Sequence, residues 1–363
     1  MGIKASLIKA FKSAGILTVL FSVLSMPAYG YKVGISLTTQ NNNRMYEEGP
    51  KLVKALKAKG YETILYYSGD GDIELQKKHI NRFIDSKVDL MVVTPVDAEA
   101  INSEVQKAID NKIEVIAYDS MLATGNETAY VGFDDYKIGR MIGTLLRFSF
   151  NPGNAKKDGP YVIGFLLGDK HDAVTKETYK GLMSVLKPYF DNGSYKTFFG
   201  SYEFEDNAVS QGSTDVAYKI VYEALDKLKA KGQVKIDALV AFSDAMAFSA
   251  YKAFKKQNIK LPYIVGIDAS YEGAYMLKHK YMQFTAFKNY QALIDRLVSI
   301  IGEIKDSGDR HKFTSNQLVS FKKGSKPIVS YVLDSGIVDQ RNYRGKLIDS
   351  KYYDENKIDS VKE

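Results

Sequence analysis

The sequence predicts an α/β protein of two lobes, each built on a parallel sheet, and three observations carry that expectation. The stretch Val88–Asp119 (VDLMVVTPVDAEAINSEVQKAIDNKIEVIAYD) reads as a buried strand, a loop, an amphipathic helix and a second strand ending on a carboxylate. Ala98, Ile101, Val105, Ala108 and Ile109 fall on one helical face, and continuous apolar strands on either side of a helix mean parallel pairing with both sheet faces covered. The same unit returns at Ile236–Asp268, again opening on a hydrophobic–Asp pair, starting its helix on Asp-Ala and ending its strand on Asp. Finally, YVIGFLL at Tyr161–Leu167 echoes YKVGISL at Tyr31–Leu37, so the pattern restarts after the turn-rich boundary loop Asn151–Pro160.

In chain order, Lys4, Lys9 and Lys12 precede an apolar run, Ala14–Met26, that is short for a bilayer span. Small residues follow at Ala28 and Gly30, so residues 1–30 read as a secretory signal peptide cleaved near Gly30. Those three lysines carry part of a formal net charge of +7; the remainder, spread over the mature chain, is no footprint for nucleic acid. There is no cysteine. An exported protein of this kind uses no disulfides, cannot be a diacylglyceryl lipoprotein, and must hold its lobes together by core burial, which its length permits. A periplasm is the simplest location.

Strand Tyr31–Leu37 leads through a polar loop (Thr38–Met45) into a helix that stops at Gly60. Strand Thr63–Tyr67 and helix Ile73–Lys87 precede the first repeat unit, and strand Ala129–Phe133 precedes a helix capped by Asp135. The second half continues with helix Thr175–Tyr189, strand Lys196–Glu203 and helix Asp215–Lys231. The second repeat unit, strand Gln283–Phe287 and helix Tyr290–Lys305 follow. Two late strands, Gln317–Phe321 and Ile328–Leu333, add to one lobe or brace the connection between lobes, and only the last dozen residues read as disordered.

Ligands bind parallel sheets at the carboxyl ends of their strands. That rule selects Thr38–Arg44, Thr94–Val96 and Asp119-Ser120 in the first lobe, and Asp169–Asp172, Ser243-Asp244 and Asp268 in the second. Amides, hydroxyls, carboxylates and one arginine suit multidentate hydrogen bonding to a small polyol. Asp119 and Asp268 stand at equivalent places in the two repeats, which favours binding over a purely structural role. Asp97 and Asp244 read as helix caps, Asn41–Asn43 suit a turn as well as a ligand, and Arg44 pairs alternatively with Glu47 or Glu48 on the surface. Enzyme signals are weak: the four histidines (His79, His171, His279, His311) have no metal-ligand spacing, and there is no nucleophile elbow, phosphate loop or GxGxxG, which leaves only a site assembled from distant residues. No cofactor, metal or catalytic residue is expected.

The stretches FDDYKIGRM (Phe133–Met141), IEVIAYDS (Ile113–Ser120) and GLMSVLKPYFDNG (Gly181–Gly193) resemble the periplasmic sugar-binding proteins of the ribose/xylose/multiple-sugar group, from about Tyr31 to Tyr353. The resemblance implies a type I periplasmic binding protein, two Rossmann-like lobes joined by a three-crossover hinge and closing over a monosaccharide as a monomer. It implies delivery to an ABC permease and, in some members, signalling to a chemoreceptor or sensor kinase. The crossovers then fall near Phe133-Asp134, Phe287-Lys288 and Ser315–Gln317. One lobe comprises residues 31–133 with 288–315, the other 134–287 with 316–350, and 351–363 form a polar tail. The ligand set becomes Gln40, Asn41, Arg44, Thr94, Asp119, Ser243, Asp268 and Lys288.

Four positions depart from that family's pattern. Ser120 replaces the arginine that follows the aspartate, Met45 stands where xylose-type relatives carry tryptophan, and Ala173 and Val174 replace polar residues. With no tryptophan in the chain, an aromatic platform has to come from Phe or Tyr, with Tyr46, Phe242 and Tyr271 as candidates. The altered set also admits a polar solute other than a sugar.

Overall fold

The computed structural model describes residues 30–38, 43–307, 313–320 and 325–362. Residues 1–29 of the expected signal peptide, and Gln40 and Asn41, lie outside them. The first half of the chain lays down β1 (Lys32–Leu37), α1 (Asn43–Ala58), β2 (Glu62–Tyr67), α2 (Ile73–Asp85), β3 (Leu90–Val93), α3 (Asn102–Asp110), β4 (Glu114–Tyr118) and β5 (Ala129–Phe133). There follow α4 (Asp135–Ser149), α5 (Ala155–Asp158), β6 (Tyr161–Leu166), α6 (Ala173–Asp191), β7 (Tyr195–Thr197), α7 (Phe204–Asn207), α8 (Thr214–Ala230), β8 (Ala238–Ala241), α9 (Asp244–Lys256) and β9 (Tyr263–Asp268). The chain ends with α10 (Tyr271–Lys278), β10 (Phe284–Phe287), α11 (Tyr290–Ser307), β11 (Gln317–Val319), β12 (Ile328–Leu333), β13 (Gly336–Asp339) and α12 (Glu355–Asp359).

Two sheets result, in the orders β11-β12-β5-β4-β3-β1-β2 and β13-β10-β9-β8-β6-β7. All pairings are parallel except at β11 and β13, each of which closes one sheet edge. The central strands β3 (LMVV) and β8 (ALVA) are buried throughout, as expected of apolar runs covered by helices on both faces.

The chain passes between sheets after β5, after β10 and between β12 and β13. The third passage therefore lies at Asp334-Ser335, not near Ser315–Gln317. β12 pairs in parallel with β5, from Ser330↔Tyr130 to Leu333↔Phe133, and β11 pairs with β12, so these two strands belong to the first sheet and not to the second lobe. Only β13 returns to the second sheet, against β10. Hydropathy alone cannot assign a late strand to a sheet, because both sheets offered an open edge.

Helix ends also differ in detail. Asp134, not Asp135, caps α4 by accepting from the Lys137 amide at 2.9 Å. Ser243 caps α9, while the Asp244 carboxylate is fully buried and accepts from the Ser270 amide at 2.7 Å. Asp97 accepts from the amides of Glu99 and Ala100 in a turn ahead of α3. The expected strand Lys196–Glu203 shortens to β7 and gives way to α7. The C-terminal residues are ordered: Leu347 and Ile358 are fully buried, in the core of the second lobe.

The helices α4 and α6 cross at very short range. A Cβ on Gly139 would lie 1.9 Å from the Thr178 carbonyl oxygen, and one on Gly181 would lie 2.0 Å from that of Tyr136. These glycines sit in two of the family-like stretches, and the reason is packing: α4 follows the first crossover and α6 carries it against the second lobe.

Candidate functional site

Both repeat units end on an aspartate in an unusual backbone conformation. Asp119, just past β4, has φ 61°, and Asp268, closing β9, has φ 104°, followed by Ala269 at 54°. Non-glycine residues rarely adopt positive φ, and such strain concentrates where surrounding structure over-determines a functional position. At Asp119 it does so: the amide donates to the Val131 carbonyl at 2.8 Å, and its carbonyl accepts from the Tyr130 hydroxyl at 3.1 Å.

The Asp119 carboxylate is buried and holds two cations. Arg44 from α1 donates to one oxygen at 2.6 Å, and Lys288, just after β10, lies 3.5 Å from the other. Lys288 is also 2.9 Å from Asp135 on α4 and 5.2 Å from the centre of the Phe133 ring. The Arg44 guanidinium stacks 4.2 Å above the Tyr290 ring, and the Tyr290 hydroxyl donates to Asp268 at 2.8 Å. Glu48, one turn after Arg44, lies 3.8 Å from its Nε and accepts from the Tyr118 hydroxyl. Residues from both lobes and two crossovers thus form one charged cluster.

Burial and charge oppose each other here. Burial favours neutral Asp119, yet Arg44 and Lys288 hold it below the usual carboxylate range. Burial likewise works against the Lys288 charge, which Asp119 and Asp135 nevertheless push upward. Burial raises Asp135 and Glu48 each to about 7 despite their cationic neighbours, and it raises Asp268. Two cations therefore face more carboxyls than they neutralise, and Glu48 and Asp135 hold their protons up to about pH 7. A carboxyl raised on folding stabilises below its unfolded pKa, and that contribution is lost as pH rises through its folded value. Stability from Glu48 should thus fall between about pH 4.5 and 7, and that from Asp135 between about pH 3.8 and 7. Urea unfolding at pH 5 and 7.5 should show this slope flattened by Glu48→Gln and by Asp135→Asn; a slope unchanged in both variants would refute the charge assignment.

A cavity of about 140 Å³ opens beside this cluster, with Arg44, Glu48, Asp268, Tyr271, Tyr290 and Tyr352 among its walls. Of the residues selected from the sequence, Arg44 and Asp268 line it, while Asp119 and Lys288 stand outside its lining. Thr94 is buried and donates to the Tyr118 carbonyl at 2.9 Å, and Ser243 is the α9 cap, so both support the strand ends. Met45 is buried in the core and offers no face to a ligand, and Phe242 packs beside the core clusters; Tyr271 does reach the cavity. The Tyr46 side chain lies outside the described residues. Asp135, Glu48 and Tyr290 were not selected from the sequence. The spacing of Glu48 to Arg44 by four residues is the one available signal, and by itself it suggests a surface pair. Among the described residues, no group of three potential metal ligands comes together.

Two α/β lobes on parallel sheets, three crossings, and strand-end carboxylates sharing one charged cluster define a bilobed binding protein of the type I kind. The chain belongs to the periplasmic binding protein domain family, which matches residues 33–307. It is 28% identical to the multiple sugar-binding periplasmic receptor ChvE of Rhizobium radiobacter, over 98% of this chain and 99% of that one. It is 26% identical to the multiple sugar-binding periplasmic protein SbpA of Azospirillum brasilense, over 89% and 90%. In structure it is similar to an ABC transporter solute-binding protein of Clostridium phytofermentans with bound β-D-glucose. That match has TM-score 0.83 and 28% identity, and covers 90% of this chain and 99% of that one. All three are named for binding sugars or solutes.

Proposed function

We propose that this protein captures a monosaccharide between its lobes in the periplasm and hands it to an ABC permease, without turning it over. The supporting observation is the pairing of two strained strand-end aspartates, one per lobe, with Arg44, Lys288 and Tyr290 around them. Charged and hydroxyl groups already held in place can be offered to sugar hydroxyls with little reorganisation. The relatives named for sugars, and the glucose-bound neighbour, support the ligand class. In this reading Arg44 and Asp268 contact the sugar directly, and Asp119 and Lys288 hold Arg44 and the crossover in place. Gln40 and Asn41 shortly precede α1 in the sequence, and in this reading they too contact the sugar. Export rests on residues 1–30, and N-terminal sequencing of the secreted protein should place the mature start near Tyr31.

A thermal-shift screen of residues 31–363 against pentoses, hexoses and non-sugar polar metabolites tests the proposal. A monosaccharide at a hundred times its Kd should stabilise the fold by about 2.7 kcal/mol. Silence from every monosaccharide, or a response only to another solute class, would end the sugar reading.

A further inference from the structure

The C-terminal residues, expected to trail as a polar tail, instead cross the cavity. Beyond β13 the chain is rooted in the second lobe by the fully buried Leu347 and Ile358. Lys278 of α10 fastens α12 from outside, 2.6 Å from Asp359 and 3.2 Å from Glu355. Between these roots the chain reverses at Lys351, with φ 61°. The Tyr353 ring packs on Tyr271 at 4.1 Å between centroids, and Tyr352 meets Phe287 edge-on at 5.2 Å. The Tyr352 hydroxyl accepts from the Tyr290 amide at 3.2 Å, at the first turn of α11. Tyr290 is the residue whose ring carries Arg44 and whose hydroxyl holds Asp268. Lys351, Tyr352 and Tyr353 all line the cavity.

We propose that Lys351–Tyr353 is a C-terminal component of the binding site: its two tyrosines form the cavity's aromatic wall and tie α11 to the second lobe. The proposal rests on the capture reading for its ligand, a hydroxylated ring with one apolar C–H face. Tyrosine suits that task, with a flat apolar body and a polar tip. It answers the missing tryptophan from the far end of the chain. It also gives the closed form a contact that has to be broken, or stretched, when the lobes separate.

The chain has no cysteine, so a nitroxide pair at Lys54→Cys on α1 and Lys176→Cys on α6 reads lobe separation directly; both positions are exposed. The parent and a Tyr352→Ser/Tyr353→Ser variant are compared for this distance without ligand, and for D-glucose affinity by calorimetry. The expected result is a shift to longer distances and a loss of affinity of about tenfold or more. An affinity within about twofold of a sugar-binding parent would overturn the wall, and an unchanged distance distribution would overturn the tie. A parent that binds neither D-glucose nor any other monosaccharide refutes the capture reading, and the distances then decide the tie alone. Should the double variant fail to fold, Tyr352→Phe, which keeps the ring and removes only the acceptor, decides by the same distances.

Discussion

Replacing Asp119 with alanine should abolish sugar capture and also cost the unliganded protein about 3 kcal/mol, the low end for breaking a buried ion pair. The sequence alone suggests a simpler outcome, loss of binding with the fold intact, because it gives Asp119 only the ligand's hydrogen bonds to lose. The structure places it between two buried cations, Arg44 at 2.6 Å and Lys288 at 3.5 Å. Neither cation is stranded by the change, since Arg44 keeps Glu48 and the Tyr290 ring and Lys288 keeps Asp135. Asp135, freed from its charged neighbour, should ionise more readily and take over Lys288. Those fallbacks are why the loss is set at the low end of the range. Asp119→Asn separates shape from charge, because asparagine tolerates positive φ at least as well as aspartate. Denaturant unfolding of Asp119→Asn, Lys288→Met and the double variant gives the coupling, expected at about 1–3 kcal/mol. A coupling near zero would mean that the charged cluster does not form without ligand.

Introducing a methyl group at Gly181 or Gly139 should destabilise the protein by about 3 kcal/mol or more, the upper end of overpacking costs. The atoms in the way are backbone carbonyls, at 2.0 Å for Gly181 and 1.9 Å for Gly139, so no side-chain rotation relieves the clash. α4 and α6 would have to move apart, and every apolar contact along their crossing would loosen. Gly302 in α11 is the control. A Cβ there meets only the Tyr61 hydroxyl, at 3.6 Å, so Gly302→Ala should stabilise by about 0.5–1 kcal/mol through helix propensity. Opposite signs at Gly181 and Gly302 in thermal unfolding establish the close crossing; equal signs would refute it. Because α4 leaves directly from the first crossover, the two destabilised variants should also bind sugar more weakly without any change at the cavity.

What the sequence determined by itself is the architecture and its directionality. Two repeats of strand, helix and strand, each closing on aspartate, dictate parallel sheets, because continuous apolar strands are stable only when covered on both faces. That in turn places Asp119 and Asp268 at the ligand-facing ends. Local patterning carries this information, and local patterning is what a sequence displays. Tertiary structure alone decided which partners those ends have. Asp135 and Glu48 look like surface helix residues until the crossover brings Lys288 and the lobe brings Tyr118 against them. The assignment of Ile328–Leu333 to the first sheet depends on β5 being the edge left open after β4 had paired. The C-terminal strap is the furthest from legible, since Tyr352 and Tyr353 sit in a polar stretch without periodicity. Their order comes from Leu347, Ile358 and Tyr271, residues distant in sequence that only the tertiary fold of the second lobe brings together.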